Sequence, residues 1–182
     1  DDEERLREEV ERVERTVRDL LRRLRELTKK TDEDNRKLLK EHEDLLREVV
    51  KRVTDLLKDL QRDEEVKRKL KEDLDRLREK NKEILERNKR HNDELRKKDE
   101  KLLRELEELL ERLKKRIKEV EETGKDVKDV LKEIKEVLRE VTERAKEIAD
   151  DNRRALEENE REVKRSKEDT KRALRKLEEE VK

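Results

Sequence analysis

Positions able to form a core recur every third or fourth residue along almost the whole chain, from Leu6 to Val181. That spacing keeps side chains on one face of an α-helix, whereas a strand would alternate every second residue. The first series starts Leu6, Val10, Val13, Val17 and ends at Leu60. The second runs from Val66 to Val120, and the third from Val127 to Val181. Each has sixteen positions spread over 54 residues in fifteen steps, a mean of 3.6 residues per step. A heptad seam averages about 3.5 and winds its helices left-handedly, while 3.6 is the period of a straight helix. The spacing predicts three straight helices side by side, each with a narrow apolar seam.

The periodicity matters because the composition is ambiguous. Of 182 residues, 63% are charged and only 27% aliphatic, with no aromatic residue, and such chains are often disordered. A disordered chain has no reason to space its aliphatics, so the regular seam selects helix. Enrichment in Ala, Glu, Lys, Leu and Arg with one glycine and no proline agrees with long helices.

Composition also removes function classes. Without cysteine there is no disulfide framework, thiolate chemistry or Cys-based metal site. No apolar run exceeds two residues, so neither a transmembrane helix nor a signal peptide is expected. The expectation is a soluble chain with no targeting signal, suited to recombinant cytoplasmic expression, and with no membrane partner. Basic and acidic residues number 57 each. The balance also holds locally: residues 1–62 carry 18 basic and 19 acidic side chains, 63–124 carry 21 and 20, and 125–182 carry 18 and 18. Interleaved charges of this kind form solvated faces and i,i+4 pairs. The basic cluster Lys89, Arg90 and Arg96–Lys98 is read that way, without aromatics for base stacking, and no nucleic-acid partner is expected.

Two breaks divide the chain. Gly124 in Thr123-Gly124-Lys125-Asp126 suits the residue after a helix, and Asp126 suits the cap of the next. The other break lacks glycine, but six residues separate Leu60 from Val66, which at ~100° per residue rotates the seam about 120° off its line. Asp63 caps the following helix, and Glu64 and Glu65 suit its positive end. The predicted fold is all-α: a single-chain, antiparallel, up-down-up three-helix bundle of long, nearly straight helices of ~58 residues each. As one elongated domain over residues 1–182, it has helices at about 3–61, 64–122 and 126–182 and turns near 61–63 and 123–126. A shorter six-helix object, broken near 31–35, 91–93 and 150–152, is disfavoured because seam phase runs through all three stretches.

Polar residues occupy seam positions where the period asks for Leu. Folding at the turns places residue i of the first helix level with about 125−i of the second and 123+i of the third. Asn35 then falls beside Asn88 and Asn159, and His42 beside Asn81 and Ser166. Thr28 and Thr31 fall among Asn92, Asp99 and Asn152. Independent surface residues need not share heights, so these are read as buried hydrogen-bond networks that fix helix register. A slipped helix would strand them against Leu. Asp99 either pairs with Thr28 and Asn152, because an unpaired buried carboxylate is costly, or tilts outward to water, and the first is expected.

No catalytic constellation emerges. His91 lies level with about residue 34, some eight residues or ~12 Å along the axis from His42, too far to share a metal. The helical-bundle metal motif places Glu three residues before each His, but Leu39 and Asn88 stand there. Ser166 is the only serine, and no phosphate loop occurs. No enzyme activity, catalytic residue, cofactor or metal is expected, and no partner is required. One feature favours association. Extra aliphatics such as Leu21, Leu39, Leu46 and Val50 flank the seam, while the third helix is rich in small residues such as Ala145 and Ala155. These either widen the stripe for a three-helix core or form a groove for a partner helix or a second copy.

Equal helices, uniform spacing, segment-by-segment charge balance and missing aromatics set the chain apart from spectrin-like units, which share the topology but place aromatics in the core. Over its whole length the sequence resembles de novo designed, parametrically generated straight three-helix bundles with buried hydrogen-bond networks. The resemblance implies a structural scaffold with no natural biochemical function, whose polar layers specify register. The alternative is an interaction component, an open three-helix unit that binds a partner helix or self-associates.

Overall fold

A computed structural model describes residues 2–59, 64–123 and 127–181. Three helices account for all of them: α1 (Asp2–Asp59), α2 (Glu64–Thr123) and α3 (Val127–Val181). No strand occurs among the described residues. The chain is an all-α three-helix bundle. Glu64 and Glu65 occupy the first turn of α2 and Asp129 that of α3, where carboxylates complement the positive end of the helix dipole. Lys58 serves the opposite role in the last turn of α1. The turns expected near 61–63 and 123–126 lie outside the described residues, apart from Thr123, which is the last residue of α2.

Each helix contributes to two compact units. The first comprises residues 1–31 and 94–154, the second 32–93 and 155–182. Within the first, Val17, Leu106 and Ile148, one from each helix, are essentially solvent-free. They centre an aliphatic cluster that extends through Leu6 and Val10 to Leu113 and Ile134. Removing that much apolar surface from water, at about 25 cal/mol per Å², is the main term favouring the folded unit. The second unit has a smaller aliphatic cluster: Val49 and Val53 from α1, Leu70 and Leu74 from α2, and Leu174 and Leu177 from α3. Leu39, Leu85 and Val163 are buried outside that cluster, interleaved with the polar residues of the unit.

Cross-helix contacts give the direction of each pairing. In the first unit, Glu14 pairs with Lys114 and Arg25 with Glu107, so α1 and α2 run antiparallel there. Arg116 with Glu133 and Arg144 with Glu105 make α2 and α3 antiparallel as well. In the second unit Asn159 meets Asn35 while Ser166 meets His42, both 124 residues apart. A constant offset is what parallel α1 and α3 segments require, and it lies one residue beyond the arithmetic from the sequence.

The buried stripe departs locally from the expected seam. Leu27 is 36% exposed, whereas Thr28 is half-buried and Thr31 buried. The path 24, 28, 31, 35 keeps steps of four and three and carries Leu27 outward. Similarly Leu21, Leu39 and Leu85 are buried, while their neighbours Leu20, Leu38 and Ile84 are only half-buried. A helix facing two neighbours needs a wider stripe than a single line of positions supplies.

Candidate functional site

Most of the polar seam residues sit in three hydrogen-bonded groups, each inside one unit. Asn35, Asn92 and Asn159 form the first. The Asn159 amide nitrogen donates to Asn35 Oδ1 at 2.9 Å and to Asn92 Oδ1 at 2.8 Å, using both of its hydrogens. One side chain of α3 thereby joins α1 and α2. Asn88, one turn before Asn92, is 0% exposed, and neither its Nδ2 nor its Oδ1 has a partner. The Nδ2 atoms of Asn35 and Asn92 are also buried without partners. A buried unpaired polar group costs about 1–3 kcal/mol, so this layer contributes geometry at the expense of stability.

The second group is His42, Asn81, Ser166 and Thr170. Asn81 Nδ2 donates to the Leu77 carbonyl at 2.8 Å, which fixes the amide and leaves Oδ1 facing inward. Ser166 Oγ donates to that oxygen at 2.8 Å. The hydroxyl has one proton, so its contact with His42 Nε2 at 3.1 Å requires the ring to donate. His42 is therefore the Nε2–H tautomer, with a bare Nδ1 that is buried and unpartnered. Burial holds the imidazole below its ordinary basicity, with Lys167 adding to the effect and the Asn81 hydrogen bond and Glu43 opposing it. Thr170, one turn beyond Ser166, is buried and lies 3.5 Å from Asn81 Oδ1. Its place in the third seam, next in phase after Ser166, is the signal by which sequence reasoning could have included it.

Asp99 and Asn152 form the third group. Asn152 Nδ2 lies 3.1 and 3.0 Å from the two Asp99 oxygens and 2.8 Å from the Ile148 carbonyl. One hydrogen serves the helix backbone and the other is shared by the carboxylate. Burial pushes the Asp99 carboxyl up to about 6, Asn152 and Lys98 pull it down, and Asp151 pushes it further up. Lys98 is held by Asp151 at 2.6 Å and Glu147 at 3.1 Å, contacts that raise its own basicity.

Thr28 and Thr31 do not join these groups. Their hydroxyls donate to carbonyls of their own helix, Arg25 at 3.0 Å and Leu27 at 2.9 Å. A threonine on a helix has a carbonyl within one turn, and at these two positions that local bond is made in place of a reach across the bundle. Asp99 accordingly takes Asn152 and not Thr28. Asn92, read from the sequence as part of the layer of Thr28 and Thr31, instead completes the Asn35 layer. His91 is exposed.

Chemically, the groups hold donors and acceptors against one another, and every member but the half-buried Asn92 is buried. Among the described residues, no group of three or more His, Cys, Asp or Glu is placed to hold a metal ion. No described helix is long and apolar enough to cross a membrane. No protein-family model, curated protein or solved structure matches the chain.

Proposed function

We propose that this chain is a designed structural scaffold whose buried polar layers specify which helix faces meet and at what register. The observation that carries the reading is the Asn35–Asn159–Asn92 group, in which one amide nitrogen of α3 bonds amide oxygens of α1 and α2 inside a helical interior. A slip of one helical turn, which keeps the seam facing inward, sets such amides against aliphatic side chains such as Val163, whereas an all-aliphatic seam tolerates the slip. Uniform seam spacing and charge balanced segment by segment support deliberate construction. The same inward-facing chemistry supports a chain without enzymatic activity.

The test replaces Asn35, Asn88 and Asn159 together by Leu. The expected product is helical, melts at a higher temperature, and shows mixed registers or oligomers by cross-linking and light scattering. Unfolding near room temperature would overturn the reading.

A second reading, a component that takes a partner helix or a second copy, has one feature in its favour. In the first unit an open groove of about 530 Å³ runs over Val10 and Ile117 between Arg7, Glu11, Glu14, Lys114 and Lys118. Light scattering separates the two, because the scaffold stays at 22.5 kDa as concentration rises and the interaction component does not.

A further inference from the structure

We propose that the two units answer a fall in pH in opposite directions: proton uptake at His42 loosens the second unit, and proton uptake at Asp99 tightens the first.

The geometry at His42 leaves an incoming proton one place to go. Nε2 already donates to Ser166, whose own proton is committed to Asn81, so the proton adds to Nδ1. It creates a buried N–H facing no acceptor, together with a charge on a side chain that is 1% exposed. The surroundings do not rescue it. Asn81 on α2 favours the charged ring but already bonds Leu77 and Ser166, and Lys167 on α3 repels a cation even while held by Glu41 at 3.3 Å. Glu43 on α1 is the favourable charge, but it is shared with Lys89. Lys80 and Lys82 on α2 are exposed. An open unit carries none of these penalties, so protons favour opening.

Asp99 presents the reverse arrangement. Its carboxylate is 4% exposed and crowds both oxygens onto one amide nitrogen, while Asn152 Oδ1 is buried without a donor. A proton on the carboxyl removes a buried charge while one oxygen remains to accept from the Asn152 nitrogen. Asp151 on α3 favours this uptake. Lys98 opposes it from the surface, engaged with Asp151 and Glu147. On α1, Thr28 and Thr31 are uncharged and bonded to their own backbone, and the nearby Glu26, Lys29 and Lys30 are exposed.

Amide hydrogen exchange on the full chain, at pH 7.5 and pH 5.0 and corrected for intrinsic rates, reads each unit separately. Linkage of one proton at each site sets the scale. Opening of residues 32–93 and 155–181 should increase, by up to about thirtyfold, and opening of residues 2–31 and 94–154 should decrease about tenfold. A shift in the same direction in both units, or none beyond twofold in either, overturns the proposal. Asp99→Asn should flatten the response of the first unit alone, and His42→Gln that of the second alone. Should His42→Gln fail to fold, His42→Leu serves the same purpose. A variant that keeps the full response of its own unit also overturns the proposal.

Discussion

Asn159 reaches Asn35 across 124 positions of sequence to place its amide nitrogen 2.9 Å from the Asn35 carbonyl oxygen. The same nitrogen serves Asn92. Asn88, in the adjacent turn of α2, is as deeply buried and bonds to nothing. Four residues of one type near one level therefore predict opposite mutational effects. Asn159→Leu strands two buried carbonyl oxygens and should lower unfolding stability by about 1–3 kcal/mol. Asn88→Leu replaces an unpaired amide with an apolar side chain of similar size and should raise stability by a comparable amount. Urea unfolding of the two single variants checks the pair, and equal signs would refute the assignment of partners.

The contrast shows where sequence reasoning stops. That Asn35, Asn88 and Asn159 share a level followed from helix pitch and two turns, because axial rise is nearly constant at 1.5 Å per residue. Which amide of α2 bonds Asn159 did not follow. Asn88 and Asn92 lie one turn apart on the same face, and the choice depends on about one residue of register and on side-chain rotamer. Thr28 and Thr31 carry the same lesson. Helical phase placed them near the interior, but a hydroxyl on a helix has a carbonyl of its own within reach, and pattern alone does not weigh that competitor. The sequence placed His42 in the seam, and the structure finds it buried there, while His91, which no seam position claims, is exposed.

Asp99→Asn keeps a partner for Asn152 while removing the ionisable group. The folded-state value of about 6 lies above the ordinary carboxyl value of 3.8, so the folded protein holds this proton more tightly than the unfolded chain does. Stability from this group is lowest at neutral pH, rises as pH falls through about 6, and levels off near the unfolded value. The neutral-pH penalty is at most about 3 kcal/mol. Denaturant melts should show the variant more stable than the parent at pH 7.5 and nearly equal to it at pH 4.5. A constant difference across that range would exclude Asp99 as the source.

Ile148 and Arg144 lie one turn apart on α3 and should differ severalfold in what they contribute. Ile148 is solvent-free among aliphatics of all three helices, so Ile148→Ala opens a cavity and should cost about 2–5 kcal/mol. Arg144 bridges Glu105 at 3.0 Å and Glu140 at 3.5 Å, with about a third of each side chain or more in solvent. Arg144→Ala should therefore cost about 1 kcal/mol or less, and less still in high salt. Thermal melts at low and high ionic strength separate the two. A larger loss for Arg144 would mean that surface ion pairs, and not the aliphatic interior, dominate the first unit.

His42 is held as the Nε2–H tautomer only because Ser166 spends its proton on Asn81. Side-chain nitrogen shifts at pH 7.5 should accordingly show a protonated Nε2 and a bare Nδ1. Ser166→Ala removes the acceptor of that N–H and the donor to Asn81 Oδ1, leaving two buried groups without their short contacts. It should lower stability by about 1–3 kcal/mol, more than the loss of one hydroxyl at a surface site. Thr170, at 3.5 Å from the same oxygen, is too distant to take over without movement. Ser166→Thr retains the hydroxyl and should recover the tautomer signature even where the added methyl costs stability. A protonated Nδ1 in the parent, or an unchanged imidazole spectrum in Ser166→Ala, would show that the proton order through Ser166 is not the one that orients the ring.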